Sequence, residues 1–111
     1  MQFTATYKYA DISPLKARLV ADLVRGKHVN DALQILRSTH KRASHMVNKV
    51  LCSAIANADQ SLEADMEGLR IREICVDVGP TRRKRRPASR GRVILVRGRT
   101  SHIHVVLDDQ K

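Results

Sequence analysis

The sequence predicts an α+β domain: three helices packed on a small three-stranded antiparallel sheet, with a long β-hairpin protruding from it. Three observations carry that prediction. Segments 2–10, 69–78 and 100–107 alternate apolar and polar residues, as half-buried strands do. Between the first two lie three runs whose apolar residues recur at three-and-four spacing, the mark of helices with one buried face. Between the last two lies GPTRRKRRPASRGR, at 79–92, with seven Arg or Lys and no acid.

In QFTATYKYA, Phe3, Ala5, Tyr7 and Tyr9 point one way, and Gln2, Thr4, Thr6 and Lys8 the other. In ISPLKARLVADLVRGK, Ser13 suits an N-cap and Pro14 the first helical position, where a missing N–H is harmless. Leu15, Leu19 and Leu23, with Val20 and Val24 beside them, form the expected buried stripe, and Gly26 the C-terminal stop. A shorter helix is expected from Asn30 as cap, packing through Ala32, Leu33 and Leu36. Ser38 or Thr39 could cap the longest helix, at 41–58, whose stripe is Ala43, Met46, Val47, Val50, Ala54, Ile55 and Ala58. Lys41, Arg42, His45, Asn48 and Lys49 fall largely off that stripe. Residues 59–67 hold acids and no bases, and belong away from any polyanion. In LRIREICVDVG the inward phase shifts between Ile71 and Ile74, which predicts a bulge near Arg72 or Glu73. In TSHIHVVLD, Ile103, Val105 and Leu107 face inward.

At 111 residues the chain reads as one domain, 1–111, with the hairpin at 79–99 inside it. Aromatics at 3% leave Leu, Ile, Val and Ala to build the core. The formal charge of +10 is concentrated. Nine of the 21 bases lie between Gly79 and Arg99, where there is no acid; elsewhere 12 bases meet 11 acids. A polyanionic partner follows, and nucleic acid is the commonest one. The run is pinned between two core strands, which excludes a disordered tail and predicts a ribbon turning near Pro87, Ala88 and Ser89. Arms of roughly ten residues would reach on the order of 30 Å. A two-stranded ribbon crowded with like charge is marginal alone, so its order must come from a partner that neutralises it. Phosphates do so with release of counterions. Arg outnumbers Lys eight to one between Gly79 and Arg99, which favours forked phosphate contacts and stacking over point-charge attraction.

Competing functions have less support. RRKRR matches a nuclear-import signal, but such a signal does not explain two flanking core strands. A membrane patch would pair its bases with Trp, Phe or Leu anchors, absent from the run 82–92. The N-terminal residues MQFTATYKYA resemble neither a secretory signal nor a transit peptide, and no apolar run approaches the ~20 residues of a membrane span. Neither a membrane partner nor a small-molecule substrate is expected. Cys52 and Cys75 lack a CxxC spacing and are expected to be reduced and buried. His102 and His104 share a strand face, but no third metal ligand is indicated, so ordinary hydrogen bonds are expected of them. Asp108 and Asp109 are expected to be solvated at an exposed end. With no activated thiol and no Gly-rich phosphate loop, no enzyme, cofactor or metal is expected. An architectural DNA-binding protein is the main alternative; such proteins often carry an apolar wedge, for which Pro87 is the one candidate. A basic scaffold for acidic proteins is a third class.

The segments SPLKARLVADLVRGK at 13–27, VLCSAIANA at 50–58, VDVGP at 76–80, and GR…RTSHI at 91–92 and 99–103 resemble the large-subunit ribosomal protein twenty-two family of the bacterial type. The resemblance runs from about residue 7 to residue 107. It implies a cytoplasmic ribosomal protein that binds 23S rRNA, contacts several rRNA domains during assembly, and neighbours other large-subunit proteins. The hairpin would reach the wall of the nascent-chain exit tunnel. Carried onto this chain, the resemblance implies rRNA contacts at Arg82, Arg83, Lys84, Arg85, Arg86, Arg90, Arg92, Arg97 and Arg99, and at Thr100, Ser101 and His102. Lys16, Arg18, Arg25 and Lys27 would add contacts from the first helix, and Pro87, Ala88, Ser89, Arg90, Gly91 and Arg92 would form the tip near the tunnel and the nascent chain. The returning arm, LVRGRTSHI, departs from the family's usual RIxKRTSHI.

Overall fold

A computed structural model describes residues 1–61, 64–87, 89–91 and 93–109, with the backbone alone described at 82–87, 89 and 93–97. The elements run β1 (Gln2–Ala10), α1 (Pro14–Val24), α2 (Val29–Ser38), α3 (Arg42–Asp59), β2 (Arg70–Val78), β3 (Arg82–Pro87), β4 (Val93–Gly98) and β5 (Ser101–Asp108). β5 is the central strand of an antiparallel sheet, between β1 and β2, while β3 and β4 pair as a separate two-stranded ribbon. α3 packs on β1 and β5, α1 on β2, and the three helices pack on one another. The α+β class and the hairpin are as the sequence predicts.

Val47 and Leu51 of α3 meet Leu69, Ile71, Ile74, Ile103, Val105 and Leu107 in a fully buried core. The bulge in β2 falls where expected, with the register against β5 shifting between Ile71 and Glu73. β1 carries one that the alternation hides. Its register shifts between Tyr7 and Ala10, and Tyr9 takes a φ of 59°. The extra residue inverts the alternation, so Tyr9 is exposed and Ala10 takes the inward place.

α1 starts and stops as expected. Ser13 is the N-cap and Pro14 the first helical residue, although the Ser13 hydroxyl makes no capping bond. Gly26, at φ +75°, lets Lys27 N return to Val24 O at 3.2 Å. Its buried face differs from the expected one. Leu15, Leu19 and Leu23 are 69, 52 and 45% exposed, and the helix instead buries Pro14, Ala17, Val20, Ala21 and Val24. α1 is apolar around much of its circumference, and small side chains allow closer approach to β2 and α3 than leucines would.

α2 begins two residues earlier than Asn30 as cap would set. His28 is its cap: Nδ1 accepts from Asn30 N at 3.2 Å while Nε2 donates to Glu67 O at 2.6 Å. Ser38 and Thr39 cap nothing in α3. They donate back to Gln34 O at 3.0 Å and Ile35 O at 2.7 Å, closing the last turn of α2, and Lys41 precedes α3 without a side-chain cap. Cys52 is exposed and Cys75 half-buried, against the expectation of two buried thiols; both are free. Asp109 is buried, not solvated: Oδ1 lies 3.2 Å from the Met1 amine and Oδ2 accepts from Asp65 N at 3.3 Å. Placing it under the turn that leads to β2 removes it from water.

The molecule measures 63 × 24 × 17 Å with a radius of gyration of 17.0 Å. A compact chain of this length would have about 13 Å. A ribbon standing off the body accounts for that elongation.

Candidate nucleic-acid interface

Order at the base of the ribbon comes from the residues that flank it. Gly79 N donates to Thr100 O at 2.9 Å, and Thr100 Oγ1 donates to Pro80 O at 2.6 Å. Gly79 is required by this closeness, since a Cβ there would stand 2.5 Å from Thr100 Oγ1 and 3.1 Å from Thr100 O. Beside them Ser101 Oγ donates to Ile12 O at 2.6 Å, tying β5 to the chain entering α1. Thr100 and Ser101 are buried, with both hydroxyls committed inside the protein. Both side chains, expected among the RNA contacts, are turned inward at the root of the arm.

Above the root the ladder runs Arg82↔Gly98, Arg83↔Arg97, Lys84↔Val96, Arg85↔Leu95, Arg86↔Ile94 and Pro87↔Val93. Six paired residues per strand give roughly 20 Å of ladder, shorter than arms of ten would, because residues 79–81 and 99–100 are used in the root. Pro87 is the last paired residue of β3, so the bend lies beyond it. It contains a tight turn at Ser89–Gly91, with Arg90 and Gly91 in the left-handed region at φ of 62° and 73°. Of the expected tip residues, Ala88 and Arg92 lie outside the described residues.

The expected α1 bases separate into two groups. Lys16 and Arg18 lie near the root. Arg18 and Arg99 line one cleft of about 390 Å³ with Pro14, Leu15, Val78, Gly79 and Thr81. Lys16, Arg42 and Arg99 line another of about 520 Å³ with Asp11, Ile12 and Ser13. Arg25 and Lys27 follow the C-terminal end of α1, away from the root, level with Ile74 and Ile71 of β2. Arg18 also donates from Nε and Nη2 to Val76 O at 3.3 and 3.1 Å, and Arg25 Nη2 donates to Ile74 O at 2.8 Å. Both guanidinium groups therefore cover carbonyls of the edge strand β2, and so block strand addition there. Arg42, bonded to Asp11 Oδ2 at 2.9 Å, joins the basic ring only through tertiary packing, and no local pattern in the sequence marks it.

The two strand histidines are engaged as ordinary hydrogen-bonding residues. His102 Nδ1 accepts from Tyr9 N at 3.0 Å, and Tyr9 meets its ring edge-on at 4.9 Å. Thr6 Oγ1 lies 2.7 Å from His104 Nδ1. Among the described residues, no group of His, Cys, Asp and Glu is arranged to hold a metal. No helix among them is long and apolar enough to cross a membrane.

Charge is also sorted along the sheet. β5 runs from Ser101 at the root to Asp108 at the opposite end, on the order of 25 Å away. Asp65, Glu67, Asp108 and Asp109 gather at that far end, where Asp65 caps the helical turn Met66–Gly68. The arm and these four acids thus lie at opposite ends of the sheet, while Asp11 and Asp77 stand near the root.

The family described as ribosomal protein L22p/L17e matches residues 5–108. A large ribosomal subunit protein uL22 from Carboxydothermus hydrogenoformans is 50% identical over the whole of this chain and 98% of its own length. Another protein of that description, from Desulfitobacterium hafniense, is 49% identical over 99% of this chain and 96% of its own length. A third, from Pelotomaculum thermopropionicum, is 50% identical over 100% of this chain and 98% of its own.

Proposed function

The chain belongs to the ribosomal protein L22p/L17e family, and from that premise we propose how it serves the large ribosomal subunit. It is a non-enzymatic, structural component of the ribosome, which places it in the cytoplasm with rRNA and other ribosomal proteins as partners. In our reading the arm inserts between segments of 23S rRNA and joins several of its domains during assembly. Arg82, Arg83, Lys84, Arg85, Arg86, Arg90, Arg92, Arg97 and Arg99 neutralise phosphates. Residues 87–92 approach the tunnel wall and the nascent chain.

The observation that carries this reading is the separate β3–β4 ribbon, built on the run of bases and standing on a hydrogen-bonded root. A paired backbone holds a high density of guanidinium groups on a narrow support that fits between RNA helices. Released counterions then supply the binding free energy. Thr100 and Ser101 serve by aiming the arm. Lys16, Arg18 and Arg99, with Arg42, meet RNA around the root, and His102 adds a contact from its other ring nitrogen. Arg25 and Lys27 are more distant contacts.

The test is the salt dependence of binding to a 23S rRNA fragment, with the variant Arg82→Ala/Arg83→Ala/Arg85→Ala/Arg86→Ala beside the unaltered chain. The slope of log K against log salt should become shallower by about 0.7–0.9 for each phosphate no longer neutralised. The unaltered chain should also prefer the rRNA fragment to duplex DNA of equal length at the same salt. An unchanged slope, or a preference for duplex DNA, would overturn the reading.

A further inference from the structure

We propose that the cleft between the end of α2 and the start of α3 is a phosphate site, built on the uncapped N-terminus of α3 and the hydroxyl of Ser44. It is separate from the arm, and it shares Arg42 alone with the clefts at the root. α3 runs for 18 residues, and Lys41 precedes it without a side-chain cap. The first N–H groups of such a helix have no intrahelical acceptor and carry the positive end of its dipole. Ser44 N returns to Lys41 O at 3.1 Å, which leaves Arg42 N and Ala43 N at the open end. The hydroxyls of Ser38 and Thr39, which could have closed that end, are turned back onto α2.

Ser44 supplies an independent sign of a ligand. It is 3% exposed and lines this cleft of about 500 Å³, and its Oγ has no hydrogen-bond partner among the described residues. Buried hydroxyls are nearly always bonded. One that lines a cleft and has no partner inside the protein is left for a group that enters the cleft.

The rest of the lining sets the charge of that group. Arg37, His40, Lys41, Arg42 and His45 line the cleft, and among the described residues no Asp or Glu does. The Arg42 guanidinium is already bonded to Asp11 at 2.9 Å and contributes only its backbone N–H. Arg37 and Lys41 form no ion pair with a described acid. Donors thus converge from two helices onto one space. A tetrahedral oxyanion, with oxygens in several directions, meets such a set, and helix N-termini favour that charge. Two sources offer this chemistry: an rRNA phosphodiester and free phosphate.

The test titrates inorganic phosphate into the isotope-labelled full chain, with ionic strength held by chloride, and follows the amide resonances by NMR. The Arg42 and Ala43 signals should shift saturably. Ser44→Ala should weaken the response at least threefold without lowering Tm, because the hydroxyl has no internal bond to lose; Arg37→Gln should weaken it too. A response that chloride reproduces, that does not saturate, or that either variant leaves unchanged would overturn the site. So would a lower Tm in Ser44→Ala, which would show the hydroxyl to be bonded internally. Phosphorothioate interference on a 23S rRNA fragment then separates the sources. A position that weakens the unaltered chain but not Ser44→Ala identifies an rRNA phosphodiester, and no such position beside a positive titration identifies free phosphate. Because the titration contains no RNA, its failure would leave the role of the arm in rRNA binding untouched.

Discussion

Ser101→Ala separates a residue that aims the arm from one that touches RNA. The Ser101 side chain is fully buried and donates to Ile12 O at 2.6 Å, so alanine removes the donor and leaves a carbonyl in the interior with no replacement. An orphaned buried acceptor costs about 1–3 kcal/mol. For a chain of this length 1 kcal/mol lowers Tm by about 4 °C, so the melting point should fall by roughly 4–12 °C. Thr100→Val makes an instructive partner. It preserves shape and loses the 2.6 Å bond to Pro80 O, but Pro80 is exposed and water can replace the donor. Its effect should be only about 0.5–1.5 kcal/mol. Calorimetry reads both, and the salt slope of rRNA binding should be unchanged in both because neither hydroxyl meets a phosphate. A Ser101→Ala protein with an unaltered Tm and a slope shallower by about 0.7–0.9 would refute the reasoning.

Gly79→Ala should loosen the same root. Its Cβ would lie 2.5 Å from Thr100 Oγ1 and 3.1 Å from backbone oxygen, so a loss of about 1–3 kcal/mol is expected by thermal melting, and full stability would mean that the root is slack. The Cys75 thiol is pushed up in pKa, first by its hydrogen bond to Glu73 Oε1 at 3.1 Å, then by burial and the charges of Glu73 and Asp77, with Arg25 opposing. Because the thiolate is the nucleophile, Cys75 should be alkylated more slowly than exposed Cys52 at pH 8, and Glu73→Gln should accelerate it. Equal rates in the unaltered chain, measured by mass spectrometry, would contradict that assignment.

Local chemistry in this chain is legible where a residue type has one good use. Ser13, Pro14 and Gly26 bracket α1 because proline suits a first turn and glycine a left-handed stop. The β2 bulge shows in the broken alternation between Ile71 and Ile74. The arm is legible because charge without acids, held between two core strands, has few stable arrangements.

What was hidden depends on tertiary contact. Both sides of α1 are apolar, and periodicity weights the larger leucines, while packing chooses Ala17, Val20, Ala21 and Val24 because they fit under α3 and against β2. The inversion at Tyr9 is a backbone event at φ 59°, without a glycine to announce it. Thr100 and Ser101 look in sequence like polar residues beside a basic arm. Only the closeness of Pro80 and Ile12 turns them inward. Asp109 reads as a terminal acid until the Met1 amine and Asp65 N are found beside it.

The central claim is that the arm anchors the protein in the large subunit through many simultaneous rRNA contacts. Gradient sedimentation of a native lysate, before and after a high-salt wash, with immunodetection of this protein, tests it most directly. The account predicts that the protein stays in the large-subunit fraction through the wash, and that the four-arginine variant is released. Release of the unaltered protein into soluble or DNA-bound fractions would contradict it.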